Sequence, residues 1–226
     1  MPHELRGITL DLDDTLWPYG PVAAGIASSL GEFLASTAPR AAASYDEHAL
    51  FQALTAPRES RASSPTYAAW MREEGLRLSL GAAGEDPDLA AQAIQITSEA
   101  RQRVQMYPDV NPAVSRLGAR FKLVALTNGT ADVGRIGIAD WFDAVVTGTD
   151  VGVGKPDPRI FHEACAVLGL STREVMHVGD DLHIDVAGAL DAGLQAAWVH
   201  RDDETPAPTG VLSVRDLLAL ADALGA

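Results

Sequence analysis

At 226 residues, with 47% hydrophobic and 21% charged side chains, the chain has an ordinary globular composition and material for one large domain or a core domain with a small companion. Its formal net charge of −14 repels nucleic acid and anionic membrane, and no apolar run reaches the length of a membrane span, so neither is expected as a partner. The short polar stretch Met1 to Arg6 has no signal-peptide pattern, and Cys165 as the only cysteine forbids an intrachain disulfide, so a reducing cytoplasm is expected.

The first element is a buried strand over Gly7–Leu12, apolar with a polar end. It leads into Asp11-Leu12-Asp13-Asp14-Thr15. Side chains alternate faces along an extended strand, so Asp11 and Asp13 are expected to point the same way. From Trp17 to Tyr107 no strand is expected. Four helices fit there, near 21–36, 45–55, 65–80 and 87–105, separated by Pro39, Ser63-Ser64 and Gly81-Ala82-Ala83-Gly84. In the last of them Leu89, Ala93, Ile96, Ala100 and Val104 recur at helical spacing. Trp17, Tyr19, Tyr67, Trp70 and Met71 either line a pocket or, the simpler reading, pack between these helices.

Strands resume at Phe121–Leu126, Ala144–Val146, Glu174–Val178 and Gln195–Val199. Pro158–Leu168 reads as a helix, with Asp157 as N-cap and Pro158 in the first helical position. Cys165 lies within it and reads as buried filler. Ser171 and Glu174 have capping-box spacing, but a strand beginning at Glu174 argues against a cap. Asp202-Asp203-Glu204, with Pro206 and Pro208, reads as a solvated loop before a final helix. Strands alternating with helices imply an α/β fold with a parallel sheet covered on both faces. The expected organisation is a Rossmann-like core of residues 1–16 and 108–226. A small all-helical cap of residues 17–107 is inserted after the first strand, over the carboxyl ends of the strands where such sheets bind ligands.

Two acidic clusters close strands: Asp11 with Asp13, and Gly179-Asp180-Asp181-Leu182-His183-Ile184-Asp185. In a parallel sheet both emerge at one edge. Carboxylates that close cannot all stay ionised unaided, and a hard divalent cation such as Mg²⁺ resolves the conflict. Turn and helix caps are the plainer use of such aspartates, but that use does not require both clusters at equivalent strand ends. Thr127-Asn128-Gly129 offers a hydroxyl, an amide and a flexible backbone to an oxyanion. Gly152-Val153-Gly154-Lys155-Pro156-Asp157-Pro158 is not a Walker loop, because Thr149 replaces the first glycine and Pro156 follows the lysine. Lys155 is one of only two lysines, beside Lys122, and the prolines stiffen its loop. His48, His162, His177, His183 and His200 form no ligand motif, so no metal role is assigned to histidine.

Asp-x-Asp-x-Thr, Thr-Asn, the Gly-Lys-Pro-Asp-Pro lysine and Gly-Asp-x-x-x-x-Asp, in this order, resemble the haloacid dehalogenase-like hydrolase superfamily. The position of the insert is similar to the helical cap of one branch. The resemblance implies a Mg²⁺-dependent phosphatase acting on a small-molecule phosphate ester. It makes Asp11 the nucleophile and Asp13 the general acid/base. Thr127, Asn128 and Lys155 hold the phosphoryl group, while Asp11, Asp180, Asp185 and the backbone carbonyl of Asp13 hold the metal. Asp14 and Asp181 are read as local structural groups.

Haloacid dehalogenases in the family lack the second aspartate and the metal, so Asp13 and the Asp180/Asp185 pair argue for phosphoryl chemistry. Phosphonate hydrolysis needs a cap lysine, and 17–107 contains none. A sugar-phosphate mutase on the same core, and a non-catalytic binding protein, stay open. His177-Val178-Gly179-Asp180-Asp181-Leu182 and Gly193-Leu194-Gln195-Ala196 are similar to bacterial flavin mononucleotide and riboflavin-pathway phosphatases. The sequence does not fix an oligomeric state.

Overall fold

The computed structural model describes residues 4–57, 60, 61, 64–201, 209 and 211–226. Ser63 and the acidic loop Asp202-Asp203-Glu204 with Pro206 and Pro208 lie outside the described residues. The chain divides into two compact units, Met1–Pro18 with Gln105–Ala226, and Tyr19–Val104.

The first unit is built on six parallel strands: β1 Gly7–Leu10, β2 Lys122–Thr127, β3 Ala144–Thr147, β4 Val175–Gly179, β5 Gln195–Val199 and β6 Leu212–Val214. Their order is β3-β2-β1-β4-β5-β6. Leu10 is in register with Ala125 of β2 and with Val178 of β4. The central strands therefore end within two residues of one another, and the chain order reverses beside β1. Crevices at such a reversal are where open α/β sheets bind ligands. β1 and β4 are buried along their whole length, and β2 after its first residue, as strands covered on both faces must be.

The helices that flank the sheet follow local rules. Pro158–Leu168 starts where Asp157 accepts the Arg159 N–H and stops at Gly169, with φ of 66°. It buries Ile160, Phe161, Ala164, Cys165 and Leu168 against Val124, Leu126 and Val146. Each large side chain so buried contributes about 1.5–3 kcal/mol. Cys165 is core filler, and burial pushes its thiol up to about 11.

Four expectations for this unit change. β1 is shorter than Gly7–Leu12, so the alternation argument does not reach Asp13. The Ser171–Glu174 capping box does form, with the Ser171 N–H and hydroxyl on Glu174 at 2.9 and 2.7 Å. It caps a single 3₁₀ turn, Thr172–Glu174, and β4 begins one residue later. A helix at Val110–Gly118 was not among the expected elements; Pro112 lies in its first turn, where proline gives up no hydrogen bond. β6 is only three residues long and carried no periodic signal.

The unit Tyr19–Val104 contains helices at Tyr19–Thr37, Pro39–Ala42, Glu47–Thr55, Pro65–Met71, Glu73–Ala82 and Leu89–Arg101, with no strand among its described residues. Asp46 caps the third by accepting the Ala49 N–H, and Ser64 caps the fourth by accepting that of Tyr67. The single helix expected over 65–80 is two helices broken at extended Arg72. Gly75 explains the tight junction. A Cβ there would stand 1.8 Å from the Ala68 carbonyl oxygen. Trp70 is core packing, edge-on to Tyr45 with ring centroids 5.1 Å apart. Trp17 belongs to the sheet unit, where it is fully buried.

Candidate active site

Asp11 follows β1 directly, and its backbone N–H donates to the Val178 carbonyl at 2.9 Å, so β4 fixes where its side chain starts. Asp180 follows β4. Lys155 comes from the loop before Pro158–Leu168, and its backbone is clamped by one side chain. The Asn128 amide donates to the Lys155 carbonyl at 2.8 Å and its oxygen accepts the Lys155 N–H at 2.7 Å. The lysine side chain is then almost fully buried, with its ammonium donating to Asp11 Oδ1 and, at 2.7 Å, to Asp185 Oδ1. Asp185 sits on the irregular helical turn Leu182–Ala187, which Asp181 caps by accepting the N–H groups of His183 and Ile184. Its other oxygen, Oδ2, accepts the Asp181 N–H at 3.0 Å. Gly179 makes room for this carboxylate. A Cβ at 179 would lie 2.3 Å from Asp185 Cγ.

One carboxylate oxygen from each of Asp11, Asp180 and Asp185 can be chosen so that all three lie within 4.8 Å of one another. Lys155 alone cannot balance three such anions. Burial, together with the charges of Asp185 and Asp180, raises the Asp11 pKa well above the usual carboxylate range against the pull of Lys155. Burial, Asp185 and Asp14 push Asp180 up to about 7. Burial opposes charge on Asp185 too, but Lys155 and His177 hold its carboxyl below the ordinary value. Burial likewise works against the Lys155 ammonium, yet Asp11 and Asp185 raise its pKa. A set of hard oxygen donors with surplus negative charge suits a hard divalent cation, so these three aspartates fit a metal site.

Asp11, Lys155, Asp180 and Asp185 converge. The Asp13 carboxylate is outside the metal-ligand trio and accepts the Trp17 indole N–H at 2.9 Å. Thr127 is buried at the end of β2, with its hydroxyl oxygen accepting the Gly129 N–H at 2.9 Å. The Asn128 side chain is engaged by the Lys155 backbone, so its visible work is to position the lysine. Asp181 is a helix cap, as expected. Asp14 has φ of 59°, a left-handed conformation that aspartate tolerates better than most residues, and this turns the chain after Asp13.

Three groups escaped the sequence reading. The Thr15 hydroxyl donates to Asp180 Oδ1 at 3.2 Å, and the Trp198 indole to the Asp180 carbonyl at 2.7 Å. His177 reaches Asp185 Oδ1 with Nε2 at 3.1 Å. A titratable residue inside an otherwise apolar strand was the signal available for His177.

Charge of this kind at the carboxyl edge of a parallel sheet belongs to an enzyme of the α/β class. More narrowly, the chain belongs to the haloacid dehalogenase-like hydrolase family, whose model matches residues 5–193. It is 34% identical to a phosphoserine phosphatase of Thermus thermophilus, an alignment covering 97% of this chain and all of that protein. It is 29% identical to the 5-amino-6-(5-phospho-D-ribitylamino)uracil phosphatase YigB of Escherichia coli, over 88% of this chain and 85% of the relative. Among solved structures, a 2-haloacid dehalogenase from Pseudomonas syringae pv. Tomato matches with a TM-score of 0.80 and 31% identity over 98% of both chains. A HAD phosphatase from Thermococcus onnurineus shares the fold, with a TM-score of 0.66 at 21% identity over 98% of both chains. The chain is thus a hydrolase with HAD-like phosphatases among its relatives. No helix among the described residues is long and apolar enough to cross a membrane.

Proposed function

We propose that this chain is a Mg²⁺-dependent phosphatase that hydrolyses a small-molecule phosphate monoester in the cytoplasm through an aspartyl phosphate on Asp11. The observation that carries the reading is the meeting of Asp11, Asp180 and Asp185 around the Lys155 ammonium, from three separate stretches of chain. Asp11, Asp180, Asp185 and the backbone carbonyl of Asp13 would hold the cation. When bound, Mg²⁺ would offset charge on the carboxylates and on a phosphoryl group beside them. The chain's own residues do the rest. The Asp11 carboxylate attacks phosphorus, forming an oxygen–phosphorus bond as the ester oxygen departs. Asp13 gives that oxygen its proton. Asp13 then takes a proton from the water that attacks phosphorus, releasing inorganic phosphate and restoring Asp11. Lys155 and Thr127 stabilise the phosphoryl oxygens, and Asn128 keeps Lys155 in place.

For the substrate we infer a phosphorylated metabolite, with a riboflavin-pathway phosphate ester and phosphoserine as leading candidates on the strength of the two phosphatase relatives. The dehalogenase of similar fold favours a second reading, displacement of halide from a 2-haloacid by the same Asp11. A departing halide needs no proton, so that chemistry leaves Asp13 and the metal set without work. Turnover of p-nitrophenyl phosphate with and without Mg²⁺, beside halide release from 2-chloropropionate, separates the two. Mg²⁺-dependent phosphate release and no halide is expected. Asp11→Asn should lower turnover about 10³-fold or more while leaving the circular dichroism spectrum intact. Turnover retained in that variant removes Asp11 from the nucleophile role. Specificity constants for flavin mononucleotide, phosphoserine and a generic sugar phosphate then rank the substrates; equal values discard the flavin candidate.

A further inference from the structure

We propose that His177, assisted by Thr9, is a positioning residue that fixes the rotation of the Asp185 carboxylate within the acidic centre. His177 lies inside β4, in register with Thr9 of β1 on one side and Ala196 of β5 on the other. Its side chain has no exposed surface, and Phe161 meets the ring edge-on at 5.2 Å. Apolar side chains fill the strand on either side of it, and a histidine that deep costs free energy unless both ring nitrogens are paired. Both are. Nδ1 is 2.7 Å from the Thr9 hydroxyl, and Nε2 is 3.1 Å from Asp185 Oδ1.

With the ring neutral, as burial favours, one arrangement of protons satisfies the row. An ionised carboxylate can only accept, so Nε2 carries the ring proton and donates it. Nδ1 is then an acceptor, and the Thr9 hydroxyl donates to it. The direction runs from Thr9 through His177 to Asp185. This matters because Lys155 pulls on the same Oδ1 while also bonding Asp11. Lys155 alone would let Asp185 follow wherever the ammonium moves. His177, rooted in the sheet, supplies a second donor that does not move with the Lys155 loop, and Asp181 N–H holds Oδ2. Three donors from three directions define one carboxylate plane, and Gly179 leaves the space for it. Donors that orient metal-ligating carboxylates in this way typically change metal affinity 10- to 100-fold when removed.

The inference rests on the reading of Asp185 as part of a cation site. Mn²⁺ binding to the full chain, followed by electron paramagnetic resonance, tests the two separately. Wild type should bind Mn²⁺, and His177→Leu should bind about 10- to 100-fold more weakly. His177→Gln, whose side-chain N–H can occupy the Nε2 place, should recover most of the loss. Thr9→Val, which keeps the shape and removes the hydroxyl, should bind more weakly than wild type and guards against a His177→Leu chain that fails to fold. Nitrogen NMR of wild type should show the neutral Nε2–H tautomer. Wild-type affinity in His177→Leu, a glutamine variant no better than the leucine one, or an Nδ1–H tautomer overturns the proposal while leaving the cation reading intact. A wild-type chain that binds no Mn²⁺ overturns both.

Discussion

The two units spend their polar groups differently. In the helical unit the caps are local: Asp46 serves Ala49 and Ser64 serves Tyr67, each three residues on. Its aromatic residues pack, as Trp70 does on Tyr45. In the sheet unit the polar bonds that matter span the chain. Lys155 meets Asp11 from 144 residues away, and Thr9 meets His177 from 168. Such local caps shape an element, and the capping Asp46 stays exposed. Long-range bonds bury charge, and buried charge concentrates where a fold does chemistry. The comparison teaches where to look for function in this molecule: at the strand ends, among groups that only folding brings together.

The comparison can be broken at its strongest point first. Lys155→Ala leaves Asp11 and Asp185 buried without their shared cation. Chemical denaturation should show a loss of about 3–5 kcal/mol, the usual cost of removing one partner of a buried ion pair. A loss below 1 kcal/mol would mean that the buried charges are not interdependent. In the helical unit the largest effect should come from apolar burial instead. Leu30 is fully buried, and Leu30→Ala should cost about 2–5 kcal/mol through the cavity it leaves. Asp46→Ala, which deletes a local cap, should cost about 1 kcal/mol, and an effect as large as that of Leu30→Ala would erase the distinction.

The smallest effect sharpens the contrast by pH. Hydrogen bonds from the Ser171 hydroxyl and N–H, then from Arg6, lower the Glu174 pKa from 4.5 to about 2. A carboxylate depressed by folding stabilises the native state above its unfolded value and loses that contribution as pH falls toward its folded one. The stability gap between wild type and Glu174→Gln should therefore be widest near neutral pH and close between about pH 4.5 and 2. Urea unfolding at a series of pH values checks this, and a gap that widens on acidification contradicts it.

Reading the sequence succeeded where one element decides its own state. β5 was placed residue for residue at Gln195–Val199, because an apolar β-rich run between turn residues has one simple solution. The helix Pro158–Leu168 was legible with both its cap and its first proline. Failures came where a neighbour decided. The break at Arg72 depends on one helix pressing its Gly75 onto the Ala68 carbonyl, and no periodicity contains that contact. The three residues of β6 are a strand because β5 offers them hydrogen bonds. Alternation was a weak reason to pair Asp13 with Asp11, because β1 ends at Leu10; the Asp13 carboxylate accepts the Trp17 indole N–H.

By itself the sequence determined the parallel α/β core and the acidic and basic residues gathered at its strand ends. Each follows from short-range chemistry: the period of apolar residues, the punctuation of glycine and proline, and carboxylates set just beyond strands. Only the tertiary structure decided that Asn128 grips the Lys155 backbone, that Gly179 cedes its side-chain space to Asp185, and that His177 brings Nε2 against that carboxylate. These are bonds and close approaches between groups far apart in the chain or on different elements. Their distances are set by strand register and helix packing, which local sequence does not encode.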